Sequence, residues 1–478
     1  MSDFKDRVED YLSSSTHLSK RHVHPRLLKM FEMGGIKAVF NRAEGQYLWD
    51  TEGNRFLDLL AGGGVFFMGR NHPKINGALR DVLEMDLPNL CVVNASALGG
   101  VLAGKLLELA GGDFGKVVFA NSGSESNEVA VRFARVATGR RRFLYLEGAF
   151  HGRSFGVASM CGYESMREGM EPLMPTCTPL KPNDIRQLRR ELKMGDVAAV
   201  FMEPVQGMTG IALDPNYMRE AETLCEQYGS LLVMDEVQTG LGRCGSWFAS
   251  TGAGVRPHIL TSSKALSGGQ VPVGAVLIKD EVYERIYSKF GTGLVYFSTF
   301  AENNLAMASA LTALEVLEEL DAPAESARKG EIFREGLEAI KQKYDVIDRI
   351  EGMGLMITVY FKDSATPALM AQQKIMGVVD SSAFAAAVHT QLFVRSHIIA
   401  QLPGPGKNAL KILPPVIVTE DDIRYFLSAF EDILADLYQA NTGPVAALAG
   451  GLVKDTVSRV SEAIPAVGQL LGRGAPAK

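Results

Sequence analysis

Short apolar runs recur through the middle of the chain, separated by longer stretches in which apolar residues follow helical spacing. Strands that are buried on both faces of a parallel sheet are typically continuous apolar runs rather than alternating ones. This alternation of runs and helical stretches predicts an α/β domain with a mostly parallel sheet and helices on both faces. The predicted strands are residues 116–120, 142–146, 198–202, 231–234, 258–260 and 274–278.

The spacing of apolar residues differs on both sides of this central α/β region. Residues 41–60 alternate short apolar pieces with turn residues, which is typical of a β-meander. Beyond about residue 335 the chain predicts a small α+β lobe. It contains a strand–turn–strand at 347–361, helices at 381–391 and 420–438, and a strand at 410–418 that is broken at the two prolines 414–415. We expect four parts: an N-terminal arm with part of the small domain (1–75), a large domain (76–335), a small α+β domain (336–440) and a C-terminal extension (441–478).

Composition and charge narrow the class of protein. Hydrophobic residues make up 46% of the 478 residues and charged residues 22%, which is ordinary for a globular enzyme. The net charge of −6, without a basic stripe, argues against a nucleic-acid partner. No apolar run is long enough for a membrane span, the N-terminal segment lacks a signal-peptide core, and the five cysteines are scattered, so we expect a cytoplasmic protein. His17, His22 and His24 have no carboxylates or cysteines placed to complete a metal site, and no metal is predicted.

One carboxylate and one lysine follow two of the predicted strands. Asp235 ends the run 231–234, and Lys264 comes shortly after the run 258–260. Ligands of open α/β sheets bind at the carboxyl ends of the strands, so both side chains are expected at one site. A lysine amine forms a Schiff base with a carbonyl, and an acid beside a pyridine nitrogen keeps that nitrogen protonated. The pair therefore predicts a site for pyridoxal phosphate (PLP), although each residue alone is more often a cap, an ion-pair partner or a solvated charge.

Further polar and small residues follow other predicted strands. Ser122, with a glutamate three residues later, forms a capping-box pattern, and Gly123 lets the backbone approach a ligand closely. A helix that starts this way favours a bound phosphate, although an ordinary capped helix shows the same pattern. Phe150 follows the next strand, where an aromatic ring can lie flat on a planar ligand, and His151 stands beside it. Glu203 ends another strand, so acid and amide groups converge on the same edge.

Several motifs, taken in order, resemble those of the class III aminotransferases, the group of the ornithine and ω-amino acid aminotransferases. The resemblance covers about residues 35–438. Its motifs are GNRFLD, GRNHP, NSGSESNE, FHG, EPVQG, MDEVQTGLGR, SSKAL and LPPVIVT. It implies the PLP transferase fold of type I, with a mostly parallel seven-stranded sheet in the large domain and a small α+β domain. It also implies a homodimer that binds PLP and transfers amino groups by a ping-pong mechanism.

The resemblance gives a role to each matching residue. The catalytic residues are Lys264, which forms the Schiff base, and Asp235, which pairs with the pyridine nitrogen. Val237 backs the ring and Gln238 reaches its phenolic oxygen. Thr299 resembles a threonine that reaches the phosphate of the neighbouring subunit, which implies shared sites in the homodimer. The full predicted cofactor-binding set is Ser122, Gly123, Ser124, Phe150, His151, Glu203, Asp235, Val237, Gln238, Lys264 and Thr299.

Two positions depart from the family pattern. Lys411 stands where many members have an arginine that clamps a substrate carboxylate, and Met208 stands where the ornithine type has a glutamate that neutralises this arginine. A lysine attracts a carboxylate without the bidentate fork of an arginine. We therefore expect weak or altered use of glutamate and 2-oxoglutarate and a preference for other amino donors or a bulky apolar substrate, with Arg395 and Arg70 as candidate substitute anchors.

Two other functions stay open from these residues. A decarboxylase, aminomutase or racemase would use the same cofactor machinery, because the choice among these reactions lies in the orientation of the substrate. A binding or scaffolding protein that has lost catalysis is the other alternative, and the retained Lys264, Asp235 and phosphate segment argue against it.

Overall fold

The structure is a computed structural model that describes residues 4–33, 36–90, 95–111, 113–288 and 293–439. The strands are β1 (Phe40–Glu44), β2 (Tyr47–Asp50), β3 (Arg55–Asp58), β4 (Phe114–Ala120), β5 (Arg142–Leu146), β6 (Cys177–Leu180), β7 (Val197–Met202), β8 (Leu231–Asp235), β9 (Ile259–Ser262), β10 (Gly274–Lys279), β11 (Ile347–Met353), β12 (Met356–Phe361), β13 (Ile398–Ile399) and β14 (Ala409–Ile412). The helices are α1 (Phe4–His22), α2 (Pro25–Met33), α3 (Ala61–Gly64), α4 (Pro73–Glu84), α5 (Gly99–Ala110), α6 (Gly123–Thr138), α7 (Phe155–Ala158), α8 (Ile185–Leu192), α9 (Pro215–Tyr228), α10 (Ala249–Gly252), α11 (Asp280–Tyr287), α12 (Asn304–Glu319), α13 (Ala322–Lys343), α14 (Pro367–Val379), α15 (Ala383–Ser396) and α16 (Glu420–Tyr438). Two short 3₁₀-helices span Glu164–Met166 and Lys264–Ser267.

Seven strands form the central sheet, in the order β4-β10-β9-β8-β7-β5-β6. Neighbours among β5 to β9 pair in parallel, while β10 runs antiparallel to both of its neighbours, β4 and β9. Every residue of β7, β8, β9 and β10 is buried, which explains why these strands are so apolar. The prediction of a mostly parallel seven-stranded sheet with flanking helices is confirmed.

Some strand bounds differ from the sequence pattern for identifiable reasons. β6 is absent from the predicted strands because it is a short edge strand that contains Pro179 and buries only Leu180. β9 extends to Ser262 because the buried Thr261 and Ser262 belong to the strand although they are polar. The strand predicted over 410–418 ends at Ile412, before two prolines that cannot donate to a neighbouring strand.

Two smaller sheets complete the fold, in the orders β1-β2-β3-β13 and β11-β12-β14. The first contains the predicted meander, and β13 pairs with β3 in parallel, so a C-terminal strand joins an N-terminal sheet. The second contains the predicted strand–turn–strand, β11 and β12, which pair in antiparallel fashion. These contacts place the N-terminal meander beside the C-terminal part of the chain.

The C-terminal helices agree with the sequence pattern in part. α16 matches the predicted helix over 420–438, and Thr419 and Asp422 form a capping box at its start. α15 begins two residues later than predicted and extends to Ser396, while α14 is absent from the predicted elements. The N-terminal arm forms α1 and α2, and the predicted extension at 441–478 lies outside the described residues.

Two hydrophobic cores flank the central sheet. One core packs α6, α8 and α9 against β5, β7 and β8, and the other packs α5, α12 and the C-terminal lobe against β4 and β10. Within the described ranges, no helix combines the length and the apolarity that crossing a bilayer requires. The cores hold the strands rigidly, so residues at the strand ends have fixed positions.

Candidate active site

The carboxyl ends of neighbouring strands bring the predicted site residues to one edge of the central sheet. Asp235 is the last residue of β8, Glu203 directly follows β7, and Lys264 comes two residues after β9. Phe150 and His151 lie in the loop that follows β5. Because parallel strands end at a common edge, the topology gathers residues that are far apart in the sequence.

Asp235 is a buried carboxylate, 4% exposed, with three neighbouring nitrogens. Its Oδ2 accepts a hydrogen bond from Asn127 Nδ2 at 2.7 Å and lies 2.7 Å from His151 Nδ1, while its Oδ1 accepts from the Val237 N–H at 3.0 Å. Burial opposes a charged imidazole, but the hydrogen bond and charge of Asp235 outweigh it, so the pKa of His151 is raised. Asn127 and His151 therefore orient the Asp235 carboxylate. His151 contacts this carboxylate through its Nδ1 atom.

Lys264 opens the 3₁₀-helix that follows β9. Its φ of 38° lies in a region that side-chain-bearing residues rarely adopt, and Ser267 Oγ donates a hydrogen bond to its carbonyl at 2.7 Å. Burial lowers the pKa of its amine to about 8, against the opposing charges of Asp235 and Glu203. The lowered pKa makes the neutral, nucleophilic form of the amine easier to reach than in an exposed lysine.

Glu203, 5% exposed, connects two loops of the site. Its Oε1 accepts from the Phe150 N–H at 3.0 Å, and its Oε2 accepts from the Gly207 N–H at 2.6 Å. Burial raises the pKa of this carboxyl, an effect that the His151 charge opposes and the Asp235 charge reinforces. In the structure Glu203 fixes the loop that carries Phe150, whereas the sequence analysis expects a direct contact with the cofactor.

The start of α6 forms the predicted phosphate segment. Ser122 is the N-cap of this helix, and its Oγ accepts a backbone hydrogen bond at 3.2 Å. A Cβ on Gly123 would lie 2.7 Å from Val237 Cγ1, so only glycine lets the helix start and the loop after β8 approach so closely. The first N–H groups of a helix have no partner within it and favour an anion. The Ser124 hydroxyl is engaged by the backbone N–H groups of residues 153–154, both at 3.1 Å.

Lys411 is fully buried and directs its amine from β14 to the loops of the site. Its Nζ donates to Gln238 Oε1 at 2.7 Å and to the Gly207 carbonyl. Gln238 Nε2 in turn donates to the Gly63 carbonyl at 2.8 Å. Burial, followed by the charge of Lys264, lowers the pKa of Lys411 to about 7. Strand β14 thus contributes an amine of lowered pKa to the edge where the predicted cofactor residues meet.

Arg243 is a second buried basic residue that the sequence analysis does not single out, although it ends the motif MDEVQTGLGR. Its Nη1 donates to the carbonyls of Leu355 and Pro414, and its buried Nη2 has no partner among the described residues. The guanidinium lies 4.0 Å from the centre of the Phe67 ring. Burial lowers the pKa of Arg243 to about 9, and its charge in turn lowers the pKa of Lys264.

Asn127 is a further site residue that sequence reasoning misses. Besides its bond to Asp235, its Nδ2 donates to the His151 carbonyl at 2.9 Å and its Oδ1 accepts from Thr261 Oγ1 at 2.8 Å. Its spacing offers the missing signal: it lies four residues after Gly123, so both residues share one face of α6.

Three predicted residues make other contacts. Thr299 is exposed and lines a cavity of about 380 Å³, and no hydrogen bond joins it to another predicted site residue within the described chain. Arg70 forms an ion pair with Asp58 at 2.9 Å, and Arg395 forms one with Asp436 at 2.7 Å. Both candidate substitute anchors therefore already have carboxylate partners.

The residues at the sheet edge fit PLP. A fixed carboxylate can face the pyridine nitrogen, and an amine of lowered pKa can bond to the aldehyde carbon. The first N–H groups of α6 have no partner within the helix and can bind the phosphate. Fold and site together define an α/β enzyme that depends on PLP.

Comparison with known proteins identifies the family. The model of the family "Aminotransferase class-III" matches residues 31–434. The chain belongs to the class III aminotransferases, PLP-dependent enzymes that transfer amino groups. The family, fold class, enzyme class and cofactor predicted from the sequence are confirmed.

Individual relatives agree with this assignment. The chain is 34% identical to the acetylornithine aminotransferase of Bacillus anthracis over 396 residues, which cover 82% of this chain and 94% of the relative. It is 30% identical over 447 residues to the aminotransferase PigE of a Serratia species, covering 87% of this chain and about half, 52%, of that protein. The crystal structure of an amine transaminase from an uncultivated Pseudomonas species, in its PLP-bound form, is 26% identical, with a TM-score of 0.73 and coverage of 84% of this chain and 95% of that one.

Proposed function

We propose that this protein transfers an amino group from an amine or amino acid donor to a keto acid, ketone or aldehyde acceptor, using Lys264 and Asp235. The observation that supports this most directly is their arrangement at one sheet edge. An amine with a pKa of about 8 stands there beside a carboxylate oriented by Asn127 and His151. Bound PLP supplies a conjugated ring that withdraws electrons from the carbon bearing the amino group.

The residues of the chain divide the remaining tasks. Asp235 holds a proton on the pyridine nitrogen. Lys264 Nζ, when it is neutral and free, accepts a proton from the substrate carbon that carries nitrogen and releases it later in the cycle. Phe150, whose backbone N–H is held by Glu203, would stack on the cofactor ring, and the α6 start would bind the phosphate. Together these contacts orient the substrate and cofactor for proton transfer.

We also propose that glutamate and 2-oxoglutarate are poor substrates. Lys411 lacks the fork that an arginine offers a carboxylate, and it already donates to Gln238 and Gly207. Met208 offers no charge at the position where the ornithine type has its glutamate. The amine transaminase among the structural relatives supports an amine donor.

The proposed assembly is a homodimer with shared sites. Three large apolar side chains around Thr299 are exposed, namely Leu294, Phe297 and Phe300. Exposed apolar groups that cluster in this way favour an interface, and a second copy of the chain would cover them. Analytical ultracentrifugation should show a dimer. The variant Thr299→Ala should bind PLP more weakly and should still sediment as a dimer. A cytoplasmic location stays a prediction from the sequence.

The first test is an absorbance spectrum of PLP-loaded protein, titrated singly with a panel of amines and amino acids. A donor that bleaches the visible band and produces pyridoxamine phosphate supports transamination and names the donor class. Lys264→Ala should show neither the band nor the response. A wild-type band that no donor changes would contradict the proposal and favour another PLP reaction.

A second test addresses the substrate. The double variant Met208→Glu, Lys411→Arg restores the carboxylate-binding pair of the ornithine type. We expect kcat/KM for glutamate to rise roughly tenfold, as one additional charge-assisted hydrogen bond would give. Efficient glutamate turnover by the wild type that Lys411→Ala leaves unchanged would count against the proposed substrate preference.

A further inference from the structure

Lys411 is a buried lysine without a carboxylate partner among the described residues. It lies in β14, opposite Thr358 of β12, and none of its surface is exposed. Its Nζ donates to Gln238 Oε1 at 2.7 Å and to the Gly207 carbonyl. A buried amine is costly unless its hydrogens are bonded, and here both acceptors belong to loops of the active site.

The contact determines which end of the Gln238 amide faces which neighbour. The Gly63 carbonyl can only accept a hydrogen bond, so it must face the NH₂ end of the amide, whose Nε2 donates to it at 2.8 Å. The oxygen end then faces Lys411 Nζ, which donates to it whether or not the amine is charged. Reversing the amide would place its oxygen against the Gly63 carbonyl oxygen, and this contact would be repulsive. Because Nε2 carries two hydrogens, one is left for a third partner.

We propose that Lys411 is a positioning residue that holds Gln238 with its NH₂ group towards the ring oxygen of the cofactor. This inference rests on the proposed function, in which Gln238 reaches that oxygen. With PLP bound, a hydrogen bond from Gln238 to its ring oxygen would stabilise negative charge on that oxygen and would favour the deprotonated form of the cofactor. Lys411 therefore acts on the cofactor through Gln238, and its role differs from that of a carboxylate clamp.

The test measures the pH midpoint at which the visible absorbance of PLP-loaded protein changes, in the absence of substrate. Lys411→Met removes the donor and keeps an unbranched side chain. We expect the midpoint to rise by about 0.5–1 pH unit, as the loss of one hydrogen bond would give. Lys411→Arg retains a donor and should keep the midpoint close to that of the wild type.

A double-mutant cycle separates positioning from a general effect. Gln238→Ala should raise the midpoint by itself, and adding Lys411→Met should raise it no further, because Lys411 acts through Gln238. Lys329→Met is the control for loss of a buried lysine, since Lys329 Nζ donates to the Val416 carbonyl and also pairs with Glu325 at 2.9 Å. This control should leave the midpoint unchanged.

Two results would overturn the inference: a wild-type midpoint in Lys411→Met, or an undiminished shift when this change is added to Gln238→Ala. If Lys411→Met does not fold, Lys411→Leu replaces it, both alone and in combination with Gln238→Ala. Failure of the proposed function would look different, because the wild type itself would then lack a visible band that depends on Lys264.

Discussion

Replacing Asn127 with alanine would remove the amide that joins Asp235 to its surroundings. Asn127 is 1% exposed and makes three hydrogen bonds. It donates to Asp235 Oδ2 at 2.7 Å and to the His151 carbonyl at 2.9 Å, and it accepts from Thr261 Oγ1 at 2.8 Å. In the variant these three groups stay buried but each lacks one hydrogen-bond partner. The loss of stability is therefore larger than the loss of three exposed hydrogen bonds would be.

The hydrogen bond to the Asp235 carboxylate contributes about 1.5–3 kcal/mol, and each of the other two contributes about 0.5–1.5 kcal/mol. We therefore expect the free energy of unfolding to fall by about 3–5 kcal/mol. At about 2 °C per kcal/mol for a folding unit of this size, the thermal midpoint should fall by about 6–10 °C. PLP should also dissociate faster, because Asp235 loses one of the two side chains that orient it.

Thermal unfolding of the PLP-loaded proteins, together with PLP release after dilution, checks this prediction. Ser126→Ala is the matched control, since Ser126 is the buried neighbour of Asn127 in α6 and its hydroxyl donates a single hydrogen bond, to the Ser122 carbonyl. Its midpoint should fall by about 1–3 °C. An Asn127→Ala midpoint within about 2 °C of the wild type, or no lower than that of the control, would refute the idea that this amide anchors Asp235.

Three other changes test the site. Gly123→Ala would place a Cβ 2.7 Å from Val237 Cγ1, so PLP affinity should fall at least tenfold in equilibrium dialysis, and Val237→Ala should restore part of it if the clash is the cause. Glu203→Gln would set an amide NH₂ against the N–H of Phe150 or of Gly207, so fluorescence-detected PLP binding should weaken by about tenfold; unchanged binding would contradict the role given to this carboxyl. Because burial holds the pKa values of Lys264 and Lys411 at about 8 and about 7 in the folded protein, the unfolded chain binds more protons than the folded one up to about pH 10.5. The free energy of unfolding of the PLP-free protein in urea should therefore increase between about pH 7 and about pH 10.5, and Lys411→Met should make this increase smaller.

Much of the fold follows from local patterns in the sequence. The apolar runs predict β5, β7, β8 and β10 because strands buried on both faces must be apolar along their whole length. α16 follows from its capping box and its apolar spacing. The apolar pattern does not predict the edge strand β6. A strand at the edge of a sheet is not required to be apolar, and it tolerates Pro179.

The sequence by itself also determined the chemistry at the strand ends. Asp235, Lys264 and Gly123 stand at the ends of strands or at the start of a helix, and this position depends on a few adjacent residues. Their order along the chain, with the surrounding motifs, is enough to indicate the family and the cofactor. The physical reason is that the topology of a parallel sheet carries every strand end to a common edge, whatever the details of packing.

Only the tertiary structure decided which side chains bond to one another. Asn127 meets Asp235, and Lys411 turns to the Gln238 amide, although the residues of each pair are more than a hundred positions apart. Arg70, which the sequence offers as a free anchor, is already paired with a carboxylate. A hydrogen bond requires its two heavy atoms to lie within about 3 Å of one another. That distance is set by how α6 packs on β8 and how β14 packs near the loop after β8, which no local pattern in the sequence contains.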